Sequence, residues 1–178
     1  MGFNSGVECI VNQVICAMRE VFDPGSAQPP LGGGTTTVRA FAGDATPLSA
    51  VDLHISDSGC NSPFLWVRLA RRYRSQTFPT PYLGPDGCRS QNVVAVECGV
   101  ARCAAISTDG GPDWQALAEE AEIGLDDSGR IELALCRAAA LMSSKGCSDV
   151  QAVDAVVPYG PEGGVVAWTG NLYAAVSS

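Results

Sequence analysis

Two long apolar, strand-patterned segments separated by a turn-rich loop run from Ser62 to Val100. From Phe64 onward, Leu65, Val67 and Leu69 fall on one face and Trp66, Arg68 and Ala70 on the other. That period of two predicts a half-buried strand. Arg72 and Arg74 would continue the face of Arg68, with Arg71 and Tyr73 on the opposite one. Asn92 to Val100 is rich in valine and runs on through Ala101-Arg102-Cys103, a composition that suits a pleated surface. Between the two lie Pro79, Pro81, Gly84, Pro85 and Gly87, which cannot extend either strand and turn the chain back. The pair is expected at the centre of a sheet.

Helical periodicity frames this pair. Val7, Ile10, Val11, Val14, Ile15, Met18 and Val21 trace one stripe through Gly6 to Phe22, with Ser5 and Glu8 spaced as a capping box and Asp23-Pro24-Gly25 as the stop. A loop rich in proline and glycine follows from Ser26 to Thr37. Short strands are expected over Thr36–Ala42 and Val51–Ile55, with turns at Gly43–Ser49 and Ser56–Asn61. Gly110-Gly111-Pro112 breaks the chain, and Asp113 caps a helix with Trp114, Leu117, Ala118 and Ala121 on one face and Glu119, Glu120 and Glu122 on the other. A second helix is predicted from about Asp127, with Ile131, Leu135, Ala138, Leu141 and Met142 inward. Asp126 and Asp127 stand at its start and Gly146 at its end. Strands Val150–Val157, Gly164–Trp168 and Leu172–Val176 are expected in the tail, linked through Pro158–Gly163 and Thr169-Gly170-Asn171. This order predicts a single α+β domain over residues 1–178. Its sheet is mostly antiparallel, with an N-terminal helix and a central helical pair packed on it.

Composition narrows the function. A chain of 178 residues, 46% hydrophobic and 17% charged, can bury a sizeable core. No apolar run reaches the roughly 18 residues of a membrane span, so no membrane partner is expected. Nothing at the N-terminus reads as a secretory signal. A net charge of −8 argues against nucleic-acid binding through bulk charge. Arg68, Arg71, Arg72 and Arg74 nevertheless cluster within seven positions. The eight cysteines are even in number, which invites a disulfide reading, but no Cys-x-x-Cys is present and Cys98 and Cys103 have no matching second pair. Without an export signal, the expectation is reduced, mostly buried thiols, with no metal and no cofactor.

No catalytic constellation emerges. His54, the only histidine, shares a face of its expected strand with Asp52, but no serine lies in a nucleophile elbow. Gly32-Gly33-Gly34 lacks the lysine of a phosphate loop. Asp126-Asp127 is read as a helix cap rather than a metal pair. The arginine cluster has two readings. It is either a strand end running into solvent or a subunit contact, in which Arg68, Arg71, Arg72 and Arg74 meet Glu119, Glu120 and Glu122 of a neighbour.

Trp66-Val67-Arg68-Leu69, Phe78-Pro79, Cys88 and a valine-rich strand into Val100-Ala101-Arg102-Cys103 follow in order. With the alanine-rich helix Asp127–Met142 and the run Pro158–Gly164, this order resembles the tail terminator proteins of actinobacterial siphophages. The resemblance covers most of the chain from about Cys60, and residues 3–58 share only the general pattern. It implies a small α+β protein without enzymatic activity that forms a homohexameric ring. Such rings cap the head-proximal end of the tail tube, contacting the major tail tube protein and the head–tail stopper or connector ring. DNA passes through only as cargo, and an acidic lumen would not retain it. The implied location is the tail–neck junction of the virion, after assembly in the cytoplasm of the bacterial host. Two alternatives stand beside this reading. One is another connector ring, such as a stopper or adaptor. The other is a small thiol-dependent hydrolase using Cys60 or Cys88 with His54.

Overall fold

A computed structural model describes residues 5–43, 48–85, 87–105 and 111–176. Most of the turn expected at 43–49, and Gly110 of the predicted chain break, lie outside these residues. The elements in order are helix α1 (Ser5–Val21), strand β1 (Val38–Ala42), helix α2 (Leu48–Ser58), strands β2 (Phe64–Ser75) and β3 (Gln91–Cys103), helix α3 (Trp114–Lys145), and strands β4 (Gln151–Val153), β5 (Val157–Glu162) and β6 (Val165–Ala175). The architecture is α+β. The strands form one sheet of order β1-β2-β3-β6-β4, with β5 also paired to β6. Only β1 and β2 are parallel, and every other pairing is antiparallel.

The expected hairpin is the sheet's centre, since β2 and β3 pair over nearly their whole length. One face of the sheet carries Leu65, Val67, Val94, Val96, Cys98 and Val100, and α1 and α3 cover it. The stripe of α1 supplies Val7, Ile10, Val14, Ala17, Met18 and Val21 to this core. Fully burying a side chain such as valine or isoleucine stabilises by about 1.5–3 kcal/mol, so this stripe alone is enough to fix the helix to the sheet. The other face holds a smaller core of Val51, Phe64, Trp66, Ala101, Val165 and Ala167. Trp66 is fully buried and lies across β3 at Gly99, where a Cβ would come within 2.2 Å of the indole. A glycine in the middle of a strand is therefore required here by close approach.

Several predicted elements change. Val51–Ile55 is not a strand but the middle of α2, which provides the crossover that joins the parallel pair β1 and β2. Val51 and Ile55 are four residues apart, so a helix places them together over Phe64 as well as a strand would. The central helical pair is a single helix of 32 residues. Its ends are as predicted: Asp113 accepts hydrogen bonds from the N–H groups of Gln115 and Ala116, and Gly146 closes it in the left-handed conformation. Thr169-Gly170-Asn171 is not a turn but the interior of β6. A Cβ at Gly170 would come within 2.6 Å of Leu135, so this glycine makes room for the α3 side chains that pack on the sheet. Pro158–Glu162, expected as a link, is most of β5. Among the described residues, no helix is long and apolar enough to cross a membrane.

The expectation of reduced thiols is overturned. Cys9 on α1 is bonded to Cys147 just past α3, and Cys60 after α2 is bonded to Cys103 at the end of β3. The partners are 138 and 43 residues apart in sequence, so spacing alone could not pair them. Cys16, Cys88 and Cys136 are free and exposed, whereas Cys98 is free and buried. Burial, and then the neighbouring charge of Glu97, push the Cys98 thiol up. Alkylation of the folded protein, purified in air, should therefore modify Cys16, Cys88 and Cys136 and spare Cys98. Denaturation without reductant should add one thiol, and reduction four more. In the loop-closure model each bond contributes about 4–5 kcal/mol, so reduction should lower the melting temperature. Eight reactive thiols in unreduced, denatured protein would contradict the pairing.

Candidate functional site

The arginine cluster divides on folding. Arg68 stands opposite Glu97 in the β2–β3 register, and its Nε and Nη2 donate to the two carboxylate oxygens, each at 2.7 Å. Its Nη1 donates to the carbonyl of Gly43 at 2.7 Å, and the Trp66 indole N–H donates to Glu97 at 3.1 Å. Both charged residues are buried. Arg68 is thus an internal partner and not part of a subunit surface, a correction to its reading as an interface residue. The sequence did hold a signal, because an ionisable group inside an apolar strand requires a partner.

Arg71, Arg72 and Arg74 remain exposed. Between Leu69 and Arg71 the register slips by one residue, a bulge at Ala70. Arg71 and Tyr73 therefore continue the Arg68 face, and Arg72 and Arg74 turn to the other, the reverse of simple alternation. Arg71 lies over the Tyr73 ring at 4.8 Å, Arg72 donates to Asn92 at 3.2 Å, and Arg74 donates to the Ser90 carbonyl at 2.9 Å. Arg89 is also exposed at this end. The cluster thus flanks the loop joining β2 to β3.

The predicted acidic partners sit at the other end of β3. Glu120 accepts a hydrogen bond from the backbone N–H of Ala105, Glu119 accepts one from Gln115 at 3.1 Å, and Glu122 is exposed. Asn92 and Ala105 are 13 residues apart, on the order of 40 Å along extended chain. The basic and acidic groups therefore cannot meet within one copy.

Glu119 and Glu120 edge a groove of about 630 Å³ between the first half of α3, the end of β3 and the β5–β6 arm. Its walls are largely apolar, with Ala121, Ile123 and Leu125 on the helix and Tyr159, Pro161 and Trp168 on the arm. A Cβ at Gly124 would lie 3.1 Å from the Trp168 indole nitrogen, so the helix keeps a glycine where the tryptophan stands.

Beneath the groove lie two ion pairs that the sequence reading missed. Asp126 and Asp127, expected as caps, are in the middle of α3. Arg102 Nε donates to Asp127 at 2.6 Å and its Nη2 donates to the other carboxylate oxygen at 2.8 Å. Arg102 also donates to the carbonyls of Gly32 and Gly33. Arg130 Nε donates to Asp126 at 2.8 Å, and its remaining N–H groups reach the carbonyls of Val21, Gln28 and Pro29. The two arginines therefore clamp the loop after α1 onto α3. Gly32-Gly33-Gly34 serves this packing, since a Cβ at Gly32 would lie 2.8 Å from the Arg102 guanidinium carbon. Burial pushes the Asp127 carboxyl above its ordinary value, against the opposing pull of Arg102. Burial acts the same way on Asp126. There, hydrogen bonds from Arg130 and the Leu31 N–H, with the charges of Arg130 and Arg102, outweigh it and hold the carboxyl below the ordinary value.

The cysteine–histidine pairings of the hydrolase alternative do not form. Cys60 is committed to its disulfide. His54 Nε2 lies 3.2 Å from the Ser62 carbonyl, beside Phe64, whereas Cys88 lies beyond the far end of β2. Among the described residues, no three His, Cys, Asp or Glu side chains converge as a metal site. No family model matches the chain, and no curated protein matches it.

The clamp gives a direct expectation. Asp127→Ala leaves the Arg102 guanidinium largely buried without its carboxylate and should cost about 3–5 kcal/mol. Asp126→Ala should cost clearly less, because Asp126 is more exposed and Arg130 keeps its carbonyl partners. Urea unfolding of both variants measures the difference, and equal losses would contradict a clamp centred on Asp127.

Proposed function

We propose that this protein is a structural component of a siphophage particle, a tail terminator. It forms a ring, most simply a hexamer, that caps the head-proximal end of the tail tube, joins it to the head connector and lets DNA pass. The observation that carries this reading is the placement of unlike surfaces at the two ends of β3. Exposed arginines stand at one end, and an apolar groove edged by glutamates stands at the other. A contact between two different surfaces is head-to-tail, and it closes into a ring when the rotation between subunits divides a full turn. The resemblance from Cys60 onward and the net charge of −8 support the same reading. Assembly in the host cytoplasm would hold the cysteine pairs reduced, and they would oxidise in the released particle.

The test reverses charge where folding does not depend on it. Arg72 and Arg74 are exposed, and surface substitutions usually change stability by about 0.5 kcal/mol or less. An Arg72→Glu, Arg74→Glu variant, supplied in place of the native protein during phage assembly, should melt normally yet leave tails unterminated or unjoined to heads. Normal particles would overturn the role given to these arginines. Finding the chain on a lateral spike or the capsid exterior would overturn the terminator reading itself.

A further inference from the structure

The loop between β2 and β3 ends in a preformed apolar knob. Leu83 is 97% exposed. It is not a loose tip, because hydrogen bonds hold the loop around it. The Tyr82 N–H donates to the Arg74 carbonyl at 2.8 Å, and Tyr82 Oη donates to the Pro85 carbonyl at 3.0 Å. Ser75 Oγ donates to Thr80 at 2.7 Å, and Tyr73 Oη to Pro79 at 2.6 Å. Leu83 is therefore presented to solvent from a hydrogen-bonded frame.

The groove beside α3 has the complementary character. Its walls are apolar where the knob is apolar, and its edge carries Glu119 and Glu120 where the knob is flanked by Arg72, Arg74 and Arg89. Leu125 is 70% exposed in that wall. Trp114 is 75% exposed and lies eleven residues earlier, so at 3.6 residues per turn it falls on nearly the same helical face. Knob and groove lie at opposite ends of β3, so neither can satisfy the other within one copy.

We propose that the groove takes a second copy of this chain, with the Leu83 loop of one copy seated against Ala121 and Leu125 of the next. The arginines beside the loop then face the glutamates at the groove edge. This assignment rests on the head-to-tail reading above and names the surfaces that make it. Ordered loop geometry lowers the entropy lost on docking, and charges at the edge favour this orientation over the reverse.

Intermolecular disulfide trapping tests it. Cys16, Cys88 and Cys136 are exposed and are first replaced by serine, leaving the two native bonds intact. Leu83→Cys and Ala121→Cys are then introduced together and singly, at positions that are both exposed. Mild oxidation of the double variant should give a ladder of linked chains ending in a closed ring, and neither single variant should. Sedimentation velocity runs in parallel over a concentration series, and Leu83→Asp should raise the dissociation constant about 30-fold, the size of a central contact residue. Self-association without a double-variant ladder, or a ladder from a single variant, would overturn the docking while leaving ring formation intact. A chain that neither links nor associates at any concentration would overturn both.

Discussion

The pair Arg102–Asp127 is the interaction on which the arrangement depends. Asp127 is a buried carboxylate in the middle of a 32-residue helix, and Arg102 is the last charged side chain of the central strand. Their bidentate contact fixes α3 against the end of β3, and the same guanidinium holds the carbonyls of Gly32 and Gly33. Helix layer, sheet and the long loop after α1 therefore meet at one side chain. A buried ion pair is not by itself a large source of stability, because removing two charges from water offsets much of their attraction. Its role here is positional. With the helix pinned at Asp127, its first half and the β5–β6 arm stand as the two walls of the groove.

A second buried pair does similar work within the sheet. Glu97 receives both Arg68 and the Trp66 indole, and Gly99 leaves the space the indole fills. The smaller, aromatic core on the α2 side thus holds its tryptophan through one carboxylate. These two acid–arginine pairs also explain why a chain with so many arginines along β2 and β3 folds without stray charge in its interior.

The parts of the fold set by local periodicity were legible in the sequence. The stripe of α1, the β2–β3 pair, the Asp113 cap and the Gly146 stop each follow from neighbours a few residues apart. Features set by distant partners were not legible. Val51–Ile55 is too short for its pattern to separate helix from strand, and only the parallel pairing of β1 and β2 requires a helix there. Asp126-Asp127 looks like a helix start until Arg102 arrives from β3 to pair with Asp127, and until Arg130, one turn beyond Asp126, reaches the carbonyls of the distant loop after α1. Gly170 looks like a turn until α3 lies across it. Ala70 gives no sign of the bulge that exchanges the faces of the arginines after it. The glutamates at 119, 120 and 122 and the exposed arginines were found as charges, but the groove beside them needed the β5–β6 arm, and Leu83 gained meaning only through its exposure.

The functional account joins these features: an internally clamped domain whose two unlike surfaces lie at opposite ends of its longest strands. Structure determination of the assembled protein by electron cryo-microscopy tests it most directly, on tail tubes or on rings formed in solution. The account predicts a closed ring in which every interface is the same and pairs the β2–β3 loop of one subunit with the α3 groove of the next. A symmetric dimer burying like surfaces, or a ring whose α3 grooves all face solvent, would contradict it.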